Sequence, residues 1–183
     1  IMTVNFTSQA TMKDLLATQS EADIVCGQEH KVTEDQVKQV SSTMARDGWK
    51  VGFAAAVTTE EGGVSAGAMV AVRSHRRMIP VGGESWDHSP AGSGGRVAAA
   101  WADAVVRGGV LIGSVYMWHT EGATDRNLTL LAKVAELVEG FGGPYVIGGD
   151  WQMTPQQLEN IPWDQQLGAV VIAPGGGTCR GRA

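Results

Sequence analysis

The run Val146-Ile147-Gly148-Gly149-Asp150-Trp151-Gln152-Met153 delivers a carboxylate and an amide side by side at the end of an apolar strand. The C-terminal ends of strands are where α/β proteins tend to place their chemistry. Gly148 and Gly149 carry no side chains, so a phosphate or a metal ion could approach the backbone just before Asp150. The same residues also read as a strand ending in a capped turn, with Asp150 solvated and Trp151 in the core. A second segment of this kind, Asp23-Ile24-Val25-Cys26-Gly27-Gln28-Glu29-His30, ends in Glu29. Two strands that finish in carboxylates point to one convergent acidic site. Taken alone, Glu29 reads as an exposed strand-end residue and His30 as a surface or helix-capping histidine.

The elements that must position these groups alternate along the chain, which favours an α/β class. Strands are expected near 2–6, 23–28, 49–56, 66–73, 96–105, 110–116, 144–149 and 168–172, and helices near 9–19, 34–47, 124–140 and 155–161. Thr33 is a cap for the second helix, in which Val37, Val40 and Met44 recur at helical spacing, and Gly48 closes it. In the third helix Leu128, Leu131, Val134, Ala135 and Val138 form an apolar stripe expected in the core. Thr154-Pro155 reads as a cap followed by the proline favoured in a first turn.

A chain of 183 residues falls in the range of one domain, 1–183, with enough length to bury a core. No apolar run approaches the roughly 20 residues of a membrane span. Two cysteines, Cys26 in a strand and Cys179 near the end, make no disulfide framework and no zinc spacing, so both are expected as reduced thiols, Cys26 buried. An intracellular location is the matching expectation. The net charge of -5 argues against a strong general grip on nucleic acid, which is mainly lysine and arginine neutralising phosphates. Arg73-Ser74-His75-Arg76-Arg77 is a local basic run that would either line a phosphate-binding groove or form a solvated loop guarding a strand edge.

Read in order, Asn5 in the first strand, Gln28-Glu29, Ala66-Gly67-Ala68-Met69-Val70-Ala71-Val72-Arg73, Ser114-Val115-Tyr116 and Gly148-Gly149-Asp150-Trp151-Gln152 resemble the endonuclease/exonuclease/phosphatase superfamily. The resemblance runs along nearly the whole chain. It implies a DNase I-like four-layer sandwich of two mixed β-sheets flanked by helices. By the same resemblance Glu29 holds a divalent cation, Mg2+ or Mn2+, with Asn5 beside it. Asp150 orients or deprotonates the attacking water, and the Tyr116 hydroxyl reaches the scissile phosphate. Gln152 stands where the family usually has asparagine, and Trp151 replaces a phenylalanine. Glutamine offers the same amide one methylene further out. His119, in the segment that leaves the strand after Tyr116, would bond a phosphate oxygen or assist Tyr116, and reads equally as a structural loop histidine.

The family continues from its Thr-Cys segment, which Thr178-Cys179 resembles, into an Asp-Tyr strand and a Ser-Asp-His motif that this sequence does not contain. The expectation is therefore a fragment, incomplete at the C-terminus, with further domains in a longer chain. Metal-dependent phosphodiester hydrolysis is the implied activity, with DNA as the partner and a retroelement-type endonuclease domain as its specific form. A small-molecule or lipid phosphodiesterase of the same superfamily is the enzymatic alternative, and a degenerate binding or structural module the other. Segment 80–95 reads as a loop in which Asp87 and His88 would touch substrate or lie on the surface, and Gly175-Gly176-Gly177 as a loop that lacks the residues of a nucleotide P-loop. Trp49, Trp101 and Trp163 are expected in the core.

Overall fold

The computed structural model describes residues 1–18, 21–81 and 94–173. The expectations for Asp87, His88, Gly175-Gly176-Gly177 and Cys179 lie outside the described residues.

Along the chain run β1 (Met2–Asn5), α1 (Gln9–Thr18), β2 (Ile24–Gln28), α2 (Glu34–Arg46), β3 (Trp49–Ala54), β4 (Val57–Thr58), β5 (Val64–Ser65), β6 (Ala68–Arg73), β7 (Met78–Val81), β8 (Val97–Ala102), β9 (Val110–Tyr116), α3 (Asp125–Phe141), β10 (Tyr145–Asp150), α4 (Pro155–Glu159) and α5 (Trp163–Leu167). Among the described residues two four-stranded sheets form, ordered β1-β2-β6-β3 and β10-β9-β8-β7, and β4 pairs with β5 as a small hairpin. β1 and β2 run parallel, joined through α1, and β9 and β10 run parallel, joined through α3. The remaining pairings within the sheets are antiparallel, so both sheets are mixed, as expected.

Strand alternation decides what each face covers. Ile24 and Cys26 on β2, and Ala68, Val70 and Val72 on β6, face Ala98, Ala100 and Ala102 on β8 and Val110 and Ile112 on β9, forming the layer between the sheets. The opposite faces of β2 and β6 present Val25, Met69 and Ala71 to Met12 and Leu16 of α1 and Val40 and Met44 of α2. The outer face of β8 and β9, with Ala99, Leu111 and Val115, packs on Leu130, Leu131, Val134 and Val138 of α3 and on Leu158 and Trp163 beyond it. The result is four layers, helices, sheet, sheet, helices. Burying each Leu, Met or Val of these layers stabilises the fold by about 1.5–3 kcal/mol.

Local chemistry sets the helix ends. The Thr33 hydroxyl donates to Asp35 at 2.6 Å, while the Gln36 side chain accepts from the Thr33 N–H at 3.3 Å. Gly48, at φ 84°, ends the turn that closes α2. Thr154 and Gln157 make a reciprocal capping box, with bonds of 2.9 and 3.2 Å, ahead of Pro155.

Several expectations need correction. The 168–172 segment is not a strand; no strand among the described residues pairs with it, and Val170 and Ile172 are 84% and 89% exposed. β-branched composition cannot make a strand where no ladder partner is present. Of the apolar stripe expected on α3, Leu131, Val134, Ala135 and Val138 are buried and Leu128 is exposed, while Leu130, Leu137 and the polar Asn127 are buried as well. The Trp163 indole N–H donates to the Leu131 carbonyl at 2.8 Å and holds the short α5 against that face. Trp101 is half-buried on the outer side of β8, with its N–H on the Gly108 carbonyl, whereas Trp49 and Trp163 lie in the core. His30 is buried rather than on the surface. Among the described residues no helix is long and apolar enough to cross a membrane.

Candidate active site

β2 and β10 end on the same side of the sandwich. β1 brings Asn5 level with Gln28 in the parallel register, and β9 brings Tyr116 level with Asp150. The two sheets are tied beneath these ends by a buried polar link: the Gln28 amide donates to the Ser114 hydroxyl at 2.8 Å, and that hydroxyl donates to the Gly27 carbonyl at 2.9 Å. In a dry interior, a link with its groups satisfied fixes the relative height of the strands.

Asp150 is held from two directions. Asn5 donates to Oδ2 at 3.0 Å from the other sheet, and Gln152 donates to Oδ1 at 2.7 Å from the turn that follows β10. Gln152 lies at φ 50°, and its side chain folds back onto the Asp150 carboxylate. Asn5 is itself fixed, because its Oδ1 accepts from the Thr7 N–H at 3.1 Å. Gly148 and Gly149 do not clear a path for a ligand. A Cβ on Gly148 would meet Cys26 at 3.0 Å and Thr3 at 3.2 Å, and one on Gly149 would meet the Val115 carbonyl at 2.7 Å. These glycines let β10 lie close against its neighbours. The Cys26 thiol beneath is pushed up to about 12 by burial.

Glu29 follows the last ladder pair of β2 with φ 58°, its side chain 23% exposed and Lys31 Nζ at 3.6 Å. Tyr116, half-buried, is held above its ordinary phenol value by burial first, then by the charges of Glu29 and of Asp150, against the lowering effect of Arg96. Glu29, Tyr116 and Asp150 therefore share one electrostatic neighbourhood, and the Tyr116 hydroxyl stays protonated at neutral pH. His119 sits exposed on the turn after β9 and makes no hydrogen bond or ion pair among the described residues. The basic run is placed elsewhere. Arg73 pairs in register with the start of β3, its N–H donates to the Asp23 carbonyl before β2, and His75 and Arg76 lie at 3.8 and 3.7 Å from the Asp23 carboxylate. That is the far end of the five-residue strand from Glu29, roughly 15 Å away at strand rise. It reads as a solvated, internally paired loop.

Arg96 was not expected at the site. Buried at the start of β8, it donates to the Tyr116 and Met117 carbonyls at 3.2 and 3.3 Å and lies over the rings of Trp118 (4.2 Å) and Tyr116 (5.0 Å). Burial draws its guanidinium below the usual value, and the charges that act on it include Tyr116 and Glu29. Asn127, fully buried on α3, bonds both the N–H and the C=O of Trp118 (3.0 and 3.3 Å) and the Gly122 carbonyl at 2.7 Å. The signals were a lone arginine opening an alanine-rich strand and an asparagine on the apolar face of a helix.

The carboxylate of Glu29 is an oxygen donor of the kind that suits a hard cation such as Mg2+, which is commonly bound by one or two carboxylates and retains much of its water. Among the described residues no three histidine, cysteine, aspartate or glutamate side chains gather as a closed cage.

Comparison with solved structures places the architecture. ANGEL2, described as a 2′,3′-cyclic phosphatase, superposes with TM-score 0.52 at 15% identity over 80% of this chain and 42% of its own. The AP endonuclease LMAP from Leishmania major gives TM-score 0.56 at 14% identity, over 81% of this chain and 53% of its own. A humanized D. rerio TDP2 gives TM-score 0.56 at 11% identity, over 87% and 65%. The chain has the DNase I-like fold. This is the fold of the endonuclease/exonuclease/phosphatase superfamily, which the motif order in the sequence resembles. The DNase I-like region described here spans less than two thirds of the length of each of these structures. No protein-family model matches the chain, and no curated protein does.

Proposed function

We propose that this chain carries the acidic centre of a divalent-cation-dependent phosphodiester hydrolase. The observation that carries the reading is the clamp on Asp150: two amides, Asn5 from the neighbouring sheet and Gln152 from the turn after β10, each occupy one carboxylate oxygen. Such a clamp fixes the rotamer and leaves each oxygen a lone pair for a water. In this reading Asp150 orients the attacking water and accepts its proton. The protonated Tyr116 hydroxyl donates to a non-bridging phosphate oxygen, where charge develops. Arg96 holds the backbone of Tyr116 and Met117 from behind. Glu29, with Asn5 beside Asp150, is the residue for Mg2+ or Mn2+, and the bound ion would supply neutralisation of charge on the phosphate and leaving oxygen.

The finer form of the proposal is a DNA endonuclease domain of retroelement type. A small phosphodiester is the second reading, favoured by one placement: the Arg73–Arg77 run sits at the far end of the sheet from Glu29, where it offers no track for a DNA backbone. Hydrolysis of a bis-aryl phosphodiester and of plasmid DNA, each with Mg2+ or Mn2+ across a range of salt, tests both forms. Steep loss of DNA cleavage with rising salt supports the nucleic-acid form. Turnover of the small diester that is insensitive to salt, without DNA nicking, supports the other. Asp150→Ala is expected to abolish turnover with the fold intact, and cleavage retained in that variant removes Asp150 from the catalytic role.

A further inference from the structure

We propose that His30 is a positioning residue, stapling two strained turns so that Glu29 is held in place for a cation; the inference rests on the reading of Glu29 given above. Beyond the last β2–β6 pair, Gln28 with Ala68, the two chains stay together in a bent extension. His30 N–H reaches the Gly67 carbonyl at 3.4 Å, and Lys31 N–H reaches the Ala66 carbonyl at 3.3 Å. Three non-glycine residues of this extension adopt left-handed backbone: Glu29 at φ 58°, Lys31 at φ 56° and Ala66 at φ 66°. Each costs about 1–2 kcal/mol for an L-residue, so the surroundings must impose the conformation.

The buried imidazole does so from the centre of the extension. Its Nδ1 accepts from the Val32 N–H at 2.9 Å, closing the turn that contains Lys31, and its Nε2 lies 3.1 Å from the Ala68 carbonyl across the ladder. Those bonds require one acceptor and one donor, the arrangement of a neutral ring protonated on Nε2. The ring stands edge-on to Phe53 at 5.0 Å. It also fills the place where a side chain at residue 67 would be: a Cβ on Gly67, at φ 101°, would lie 2.6 Å from the imidazole Cε1. One side chain thus bonds to both strands and packs on the residue whose freedom the second turn needs. Outer partners of metal ligands typically change cation affinity by about 10–100-fold when removed.

The test is Mn2+ binding by the whole chain, followed by the paramagnetic signal of free Mn2+, with the unfolding midpoint measured alongside. Wild type is expected to bind, and Glu29→Gln to lose binding; if wild type does not bind, the cation reading itself fails and the inference falls with it. With that established, His30→Ala is expected to weaken Mn2+ binding about 10–100-fold. His30→Asn, which keeps an acceptor for the Val32 N–H, should recover part of the loss. Phe53→Leu disturbs the other side of the same ring and should lower stability without moving Mn2+ affinity. Unchanged affinity in His30→Ala, or an equal loss in Phe53→Leu, would overturn the proposal. Should His30→Ala fail to fold, hydrogen exchange of wild type decides: Mn2+ is expected to slow the amides of residues 29–32 and 66–68 together, and exchange that ignores Mn2+ overturns it.

Discussion

The two carboxylates of the site are carried by similar strand ends and held by opposite means. Glu29 is placed through its backbone, a left-handed turn closed by a buried histidine, and among the described residues no side-chain amide touches its carboxylate. Asp150 lies at the end of a regular strand and is placed through its side chain, between Asn5 and Gln152. A group held by its backbone depends on the stability of the local fold; one held by its side chain depends on two particular amides. The difference separates mutations that act through stability from those that act through rate.

The largest effect is expected at the backbone-held end. Gly67→Ala forces a Cβ into the His30 ring at a left-handed position, and should cost about 3 kcal/mol or more. Denaturant unfolding measures it, and a midpoint within error of wild type would break the account of that end. The same end should respond to pH. Burial lowers His30 from 6.5 to about 4. The unfolded chain then binds the extra proton between those values, so the contribution is fully present above about pH 6.5 and is lost as pH falls towards 4, on the order of 3 kcal/mol. His30→Asn should flatten that part of the stability profile, and an unchanged profile would assign the acid sensitivity to other groups.

At the side-chain-held end the expected losses are kinetic. Asn5→Ala and Gln152→Ala should each lower kcat about 10–100-fold, with unfolding midpoints close to wild type. Because both amides act on one carboxylate, the double variant should lose less than the product of the two. Strict additivity would show that they act on different groups. The smallest expected effect is at Cys26, whose thiol, raised to about 12 and buried, should resist alkylation in the native state and react only as fast as the chain opens.

Much of this architecture is legible in the sequence because it rests on local signals. The caps at Thr33 and Thr154 and the glycine after α2 mark helix ends, and the order of the motif residues foretold both sheets. What escaped has a common physical character. β4, β5, β7 and α5 have two, two, four and five residues, too few to show a period, and β7 takes Pro80 and Val81 from the start of the expected 80–95 loop. The 168–172 run has strand composition but no partner among the described residues, a fact composition cannot contain. At the candidate site, Glu29 and Asp150 stand out because each closes an apolar strand, while Asn5, Tyr116 and Gln152 are named through the family resemblance of the motif order. Arg96, Asn127 and His30 could not be named in either way, because their roles come from backbone carbonyls outside their own elements, which they reach only after folding.

The alanines of β8 have one more consequence. Ala98, Ala100 and Ala102 face the valines of β6 across the sandwich, so the gap between the sheets is set by methyl groups. Glu29 rides on one sheet and Asp150 on the other, which makes that gap a calliper for the distance between them. A single larger residue deep in this layer would open the calliper at its tips and detune the chemistry from a position no ligand ever meets.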